Sequence, residues 1–180
     1  MIYNGKNIEM IAGVKTRQSI YTWLELFITA DYIGDVIAVY TDKEFNGSYD
    51  LIARARRLTD KPILAKGIHA TDENVKKAID AGANYVLVVG RIPEVYQEKC
   101  WIEPYTLEEL ARIPEEFKVV WNSRDLRTGG LKEETFEQAR QIRKGWLCQA
   151  SNIGTMKDVH PEADGILVGT HLVEFERSLR

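Results

Sequence analysis

Short apolar runs alternate along this chain with stretches in which apolar residues recur every three or four positions. Strands buried on both faces of a parallel sheet are almost continuously apolar, whereas amphipathic helices show the wider spacing. Eight runs are predicted strands: residues 8–14, 36–40, 62–65, 85–89, 100–102, 118–121, 146–149 and 165–168. The stretches between them are predicted helices: residues 19–28, 49–58, 72–81, 94–97, 107–112, 132–143 and 156–159.

Start and stop signals support two of these helices. Thr71, a preferred N-cap residue, precedes the helix over residues 72–81, and Gly82 follows it. Lys132 and the two glutamates after it predict the start of the helix over residues 132–143, because acidic side chains favour the positive end of the helix dipole. Gly145 predicts where that helix has ended.

Eight strands, most of them followed by a helix, are the number that closes a (β/α)8 barrel. We therefore predict one α/β domain over residues 1–180, a compact TIM barrel of eight parallel strands with some helices shortened. The segment 90–99 leaves room for about one helical turn, and 180 residues is fewer than the roughly 200 at the lower end of the usual range for such barrels. A doubly wound open sheet is the structural alternative.

Composition and charge limit the partners and the location that we expect for this protein. The net charge of −3 gives no electrostatic reason to expect nucleic acid or an anionic membrane surface. No apolar run approaches the ~20 residues of a membrane span, and the N-terminus lacks the apolar segment of a signal peptide, so we expect a cytoplasmic protein. Cys100 and Cys148 lie in apolar runs and are expected to be buried thiols. The three histidines lie far apart in sequence, and no metal or organic cofactor is expected.

Two turns near the C-terminus predict an anion site. Gly169 and Thr170 follow the last predicted strand, and Ser151 and Asn152 follow the strand before it. Backbone N–H groups in such strand-to-helix turns favour a phosphate, and barrels often bind phosphate after their last two strands. Each turn alone also has the ordinary explanation of a helix cap.

Charged and polar side chains follow several other strands. In a barrel these positions meet at one rim, where substrates bind. Lys15 follows the first strand, Lys66 the third and Glu103 the fifth, while Asn122 and Arg124 follow the sixth. A lysine at a strand end is usually only solvated, but this concentration of cations, a carboxylate and an amide suits a phosphorylated substrate and proton transfer.

Four motifs carry a resemblance to a known family. WNSRDLRT (residues 121–128) matches a pattern I-N-N/S-R-D-L-x-T, and PILAKGI (62–68) matches P-I/V-L-x-K-D-F. FNGS (45–48) matches F-x-G-S, and AGANYVLV (81–88) matches A-G-A-D-x-V-L-L. The chain thereby resembles indole-3-glycerol-phosphate synthase, a barrel enzyme of tryptophan biosynthesis, from residue 11 to residue 172.

The resemblance implies a decarboxylating ring closure. The substrate would be 1-(2-carboxyphenylamino)-1-deoxyribulose 5-phosphate and the product indole-3-glycerol phosphate. Lys66 corresponds to the family's general acid, which protonates the carbonyl oxygen and later helps water leave. Glu103 corresponds to the carboxylate that assists proton transfer during dehydration. Lys15 corresponds to the lysine that pairs with the carboxylate and phosphate region of the substrate.

The remaining implied site residues bind rather than react. Asn122, Arg124 and Ser151 would organise the substrate. The implied phosphate-binding residues are Ser151, Asn152, Gly169 and Thr170.

The sequence departs from the family pattern at several positions. Two family glutamates fall on Gly13 and Ala150, and the aspartate and phenylalanine after the catalytic lysine fall on Gly67 and Ile68. The family's N-terminal cover is expected to be largely absent, because the first strand already starts near residue 8. Fewer carboxylates change the proton affinities of the lysines. Another phosphosugar-binding barrel enzyme, such as an isomerase, and a non-catalytic binding descendant therefore remain alternatives.

Overall fold

Eight parallel strands close into a barrel in the computed structural model, which describes residues 1–180. The barrel strands are β1 (Glu9–Val14), β2 (Val36–Tyr40), β3 (Ile63–Lys66), β4 (Tyr85–Val89), β5 (Cys100–Glu103), β6 (Lys118–Asn122), β7 (Leu147–Ala150) and β8 (Gly165–Val168). Each strand pairs with the next, and β8 pairs with β1, so that Gly165 lies opposite Glu9 and Val168 opposite Ala12. The predicted (β/α)8 TIM barrel is confirmed, and the open sheet is excluded.

Six helices cover the outside of the barrel. They are α1 (Trp23–Ile33), α2 (Tyr49–Arg56), α3 (Asp72–Asp80), α4 (Leu107–Arg112), α5 (Phe136–Ile142) and α6 (Leu172–Ser178). Three single-turn 3-10 helices lie at Lys43–Phe45, Gln97–Lys99 and Met156–Asp158, and a two-stranded hairpin (Ile2–Tyr3 with Lys6–Asn7) precedes β1. None of the helices is long and apolar enough to cross a membrane.

Two helices begin four residues later than predicted, because capping residues set their first turns. Helix α1 begins at Trp23 because Thr22 and Glu25 form a reciprocal capping box, with the backbone N–H of Thr22 donating to Glu25 at 2.7 Å. Helix α5 begins at Phe136 and not at Lys132, because Thr135 and Gln138 form the same kind of cap. In both cases the local hydrogen bonds outweigh the apolar spacing that precedes them.

Two predicted helices are reduced to single turns. The connection from β4 to β5 contains only the 3-10 helix Gln97–Lys99, since Pro93 disfavours helix in the residues around it. After β7 the chain forms only Met156–Asp158, where the Asp158 carboxylate accepts hydrogen bonds from the N–H groups of Gly154 and Thr155. The shortened unit before β5 agrees with the prediction that a barrel this small has no room for a full helix there.

The core has two layers that follow the alternation of side chains along the strands. Residues facing outward pack under the helices in one large cluster. The inward set fills the barrel: Ile11, Val36, Ala38, Leu64, Leu87, Trp101, Val120, Cys148, Ala150 and Leu167. Cys100 and Cys148 are buried free thiols, as expected. Because side chains two positions apart share a face, residues two further along these strands form the top inward layer, at the carboxyl end of the barrel.

Candidate active site

The top inward layer of the barrel gathers three of the predicted site residues. Counting in twos from the filled interior places Lys66 above Leu64, Glu103 above Trp101 and Asn122 above Val120. All three side chains are buried, with 8%, 2% and 3% of each residue exposed respectively. Burial of such groups is costly unless they are paired, so their partners decide what they can do.

Lys66 and Glu103 form a buried ion pair. The Lys66 Nζ lies 3.4 Å from Glu103 Oε2. Burial alone would lower the pKa of Lys66, but the charge of Glu103, the neighbouring Tyr40 and the hydrogen bond to Glu103 outweigh burial and raise that pKa. The ammonium is therefore protonated at neutral pH, as a general acid must be.

A chain of hydrogen bonds extends from Glu103 to the turn after β7. The Asn122 side-chain amide donates to Glu103 Oε1 at 2.8 Å. The Ser151 hydroxyl donates to Asn122 Oδ1 at 2.6 Å, and the backbone N–H of Arg124 donates to the same oxygen at 3.0 Å. Asn122 thus fixes the orientation of Glu103 and links it to Ser151, two of the predicted site positions.

Lys15 lies beside the turn after β8. Its Nζ donates a hydrogen bond to the Thr170 hydroxyl at 3.0 Å and lies 5.3 Å from the centre of the Phe45 ring. Burial, and then the positive charges of Arg124, Lys66 and Arg17, lower the pKa of Lys15 to about 8. A lysine whose pKa is lowered by neighbouring cations lies in a positive field, which favours an anionic ligand.

The two turns present free backbone donors, as the sequence predicts. The N–H groups of Asn152, Gly169 and Thr170 donate no hydrogen bond to another group of the chain. Ser151 and Asn152 both have left-handed backbone conformations, with φ of 71° and 56°, which are uncommon for residues other than glycine. The Asn152 amide holds this turn by donating to the Ser123 hydroxyl at 3.1 Å.

An open cavity joins these groups. It encloses about 770 Å³ including its mouth, and every predicted site residue except Glu103 lines it: Lys15, Lys66, Asn122, Arg124, Ser151, Asn152, Gly169 and Thr170. Glu103 lies directly beneath, in contact with Lys66. The structure therefore brings all nine predicted residues to one site. No group of three or more His, Cys, Asp or Glu side chains is arranged to hold a metal ion.

The cavity also contains a residue that sequence reasoning missed. Tyr40 ends β2, and its ring centre lies 5.8 Å from Lys66 Nζ. Its position in an apolar run suggested an ordinary core residue. The alternation of side chains along the strand could have identified it. Val36 and Ala38 point into the barrel, so Tyr40, two positions further on, must also point inward at the rim.

Gly67, which stands where the resemblance implies an aspartate, has a steric explanation. A Cβ atom on Gly67 would lie 2.2 Å from the Thr41 hydroxyl oxygen and 3.1 Å from the His69 ring. Thr41 and His69 are themselves hydrogen-bonded at 3.1 Å, and His69 Nδ1 lies 2.6 Å from the Leu87 carbonyl oxygen. No side chain fits at position 67 beside this buried pair.

Comparison with known proteins gives one informative relative. Indole-3-glycerol phosphate synthase from Pyrococcus abyssi (strain GE5 / Orsay) is 28% identical over an alignment of 162 residues, and the match covers 78% of this chain and 71% of the relative. No protein-family model matches the chain. The sequence similarity and the closed parallel barrel together support a distant relationship between this chain and that synthase.

Proposed function

We propose that this chain is a lyase of the indole-3-glycerol-phosphate synthase type, which converts 1-(2-carboxyphenylamino)-1-deoxyribulose 5-phosphate to indole-3-glycerol phosphate, carbon dioxide and water. The observation that carries the proposal is the buried Lys66–Glu103 pair at the carboxyl end of the barrel. The similarity to the Pyrococcus abyssi synthase favours this reaction among those that such a pair could perform.

Lys66 acts first in the proposed mechanism. The ring carbon that carries the carboxylate attacks the ribulose carbonyl carbon, and the Lys66 ammonium gives a proton to the carbonyl oxygen as negative charge develops there. A preformed ammonium in a site of low dielectric stabilises that charge without reorganisation. The bond to the carboxylate then breaks, and its electron pair restores the aromatic ring as carbon dioxide leaves.

Glu103 acts in the dehydration that follows. Lys66 regains a proton from solvent and gives it to the new hydroxyl, which leaves as water. Glu103 accepts the proton lost from the neighbouring carbon, which completes the indole ring, and then returns that proton to Lys66 across the 3.4 Å contact. Asn122 holds Glu103 in place through the 2.8 Å hydrogen bond. Lys15, Arg124 and the free N–H groups of the two turns would bind the phosphate and carboxylate of the substrate.

Two alternative functions share one observation in their favour. Gly13 and Ala150 leave the site without two carboxylates that the resemblance implies. A phosphosugar isomerase would use the same phosphate turns, with Lys66 and Glu103 moving a proton between adjacent carbons, and a non-catalytic descendant would only bind.

Indole fluorescence distinguishes these functions. The purified chain is mixed with 1-(2-carboxyphenylamino)-1-deoxyribulose 5-phosphate, and both product emission and equilibrium binding are followed. Growth of emission with turnover supports the lyase. Binding of the substrate without any product contradicts the lyase and favours an isomerase or a binding protein.

A further inference from the structure

Tyr40 spans the barrel mouth from β2 to the phosphate turn after β8. A Cβ atom on Gly169 would lie 2.7 Å from the Tyr40 hydroxyl oxygen, and a Cβ atom on Gly13 would lie 3.5 Å from the edge of the Tyr40 ring. The side chain therefore crosses over Gly13 of β1 to reach Gly169. It can do so only because both of these positions lack a side chain.

The Tyr40 hydroxyl has no partner within the protein. It makes no hydrogen bond with any group of the chain. Only 7% of the residue is exposed, but the hydroxyl oxygen is not one of the fully buried atoms that lack a partner, so it opens on the cavity that the side chain lines. Such a hydroxyl is free to donate to a ligand or to water in the cavity. The ring is held by Phe45, whose ring lies edge-on at 5.8 Å between centres.

The groups around the hydroxyl identify the ligand's chemistry. Gly169 and Thr170 present free N–H groups, and Lys15 carries its ammonium to the Thr170 hydroxyl at 3.0 Å. A Cβ atom on Gly169 would also lie 3.8 Å from Lys15 Cδ, so the lysine and the tyrosine approach the same turn. Burial, which outweighs the charge of Lys66, raises the pKa of Tyr40, so the phenol keeps its proton.

We propose that Tyr40 is a further substrate-binding residue, whose hydroxyl donates a hydrogen bond to the phosphoryl group held at the Gly169–Thr170 turn. This inference rests on the phosphorylated substrate of the proposed function. A neutral donor occupies the space above Gly13, where the resemblance implies a glutamate. Replacing a carboxylate by a phenol removes like-charge repulsion against an anionic group, and so favours tight phosphate binding.

The test compares Tyr40→Phe with a matched control. Tyr85→Phe makes the same change at the amino end of β4, at the opposite end of the barrel. All of the proteins compared also carry Lys66→Ala, so that the ligand is not consumed. Affinity is measured by calorimetry for 1-(2-carboxyphenylamino)-1-deoxyribulose 5-phosphate and for the same compound without its phosphate. Tyr40→Phe should weaken binding of the phosphorylated compound by about tenfold or more, as expected for a hydrogen bond to a charged group. It should leave binding of the dephosphorylated compound unchanged, and Tyr85→Phe should change neither.

Equal affinity of the proteins with and without Tyr40→Phe for the phosphorylated compound would overturn the assignment while leaving the proposed function intact. An equal loss for both compounds would also overturn it, because the hydroxyl would then contact another part of the substrate. A Lys66→Ala protein that binds neither compound would instead overturn the proposed function, and with it the role of Tyr40.

A ligand-free measurement tests the geometry independently. Gly169→Ala places a methyl group against the Tyr40 hydroxyl, so it should destabilise the wild type more than it destabilises Tyr40→Phe, where the oxygen is absent. Urea unfolding of the four proteins gives this coupling. An identical effect of Gly169→Ala in both backgrounds would show that the hydroxyl does not lie over Gly169, and would overturn the inference.

Discussion

Lys66 Nζ and Glu103 Oε2 lie 3.4 Å apart in the top inward layer of the barrel, and both side chains are almost fully removed from solvent. Neither charge would be stable there alone, because a single buried ion loses its hydration without compensation. The pair therefore places an acid beside a base, and the charge of Glu103 raises the pKa of Lys66 and keeps its ammonium protonated.

Removing the charge of Glu103 should move the pH profile of the reaction. In Glu103→Gln the burial of Lys66 is no longer outweighed, so the pKa of Lys66 falls. The active ammonium is then lost at lower pH, and the alkaline limb of turnover should shift to lower pH than in the wild type, alongside a slower maximum rate. Turnover from pH 6 to pH 10 measures this shift. An alkaline limb that stays in place would show that Glu103 does not govern Lys66.

Anion binding should weaken as pH rises through about 8. The pKa of Lys15 is lowered to about 8, so its charge is present below that pH and lost above it. Sulfate is a suitable probe because its own charge is constant over this range. Its affinity should fall above pH 8 in the wild type, and Lys15→Met should bind weakly with little pH dependence. The same pH dependence in both proteins would assign the effect to another group.

Introducing at position 13 the glutamate that the resemblance implies should not raise activity. A Cβ atom there would lie 3.1 Å from both the Gly169 Cα and the Val168 carbonyl oxygen, and the backbone cannot move away cheaply. Gly13→Glu should lower the free energy of unfolding by about 1–3 kcal/mol, as overpacking usually does, without raising turnover. Gly13→Ala is the graded control and should lose part of that stability. Faster turnover in Gly13→Glu would mean that the site accommodates the carboxylate.

Arg143 should contribute to stability and not to the chemistry. Its side chain is 1% exposed and donates hydrogen bonds to the carbonyl oxygens of Ile113, Pro114 and Glu115 at 2.8, 3.1 and 3.1 Å. Arg143→Met leaves these acceptors without their donor and should cost about 3 kcal/mol or more in urea unfolding. Arg112→Met, which removes an exposed arginine paired with Glu108, should cost less than about 1 kcal/mol. Similar losses in the two variants would contradict this account.

The sequence predicts the strands well because burial on both faces leaves an unambiguous apolar pattern. Lys66, Glu103 and Asn122 could be placed at one rim because each ends a strand, and parallel strands end at the same edge. Helix boundaries were less predictable, since Thr22 and Thr135 begin their helices through caps that override the apolar spacing. Hydrogen bonds between residues three positions apart decide where these helices begin.

Other features of the site depend on packing that sequence patterns do not contain. Tyr40 lies over Gly169 only because two glycines on other strands leave room, and no local pattern relates the three residues. The hydrogen bond from Lys15 to Thr170 joins residues at opposite ends of the chain. In the sequence, Gly13 and Gly67 are recognised only as positions where an expected carboxylate is missing. The structure shows that neighbouring groups occupy the space that a side chain at either position would need.

The most direct test of the proposed lyase is the effect of Lys66→Ala on turnover, compared with Lys118→Ala. Lys118 is the matched control because it also pairs with a glutamate, Glu9 at 2.6 Å, but is the first residue of β6, at the other end of the barrel. General acid catalysis typically contributes about 10²–10⁴-fold, so Lys66→Ala should lose that much turnover while substrate binding changes little. Lys118→Ala should keep wild-type turnover once it is folded. Formation of indole-3-glycerol phosphate at the wild-type rate by Lys66→Ala would contradict the account.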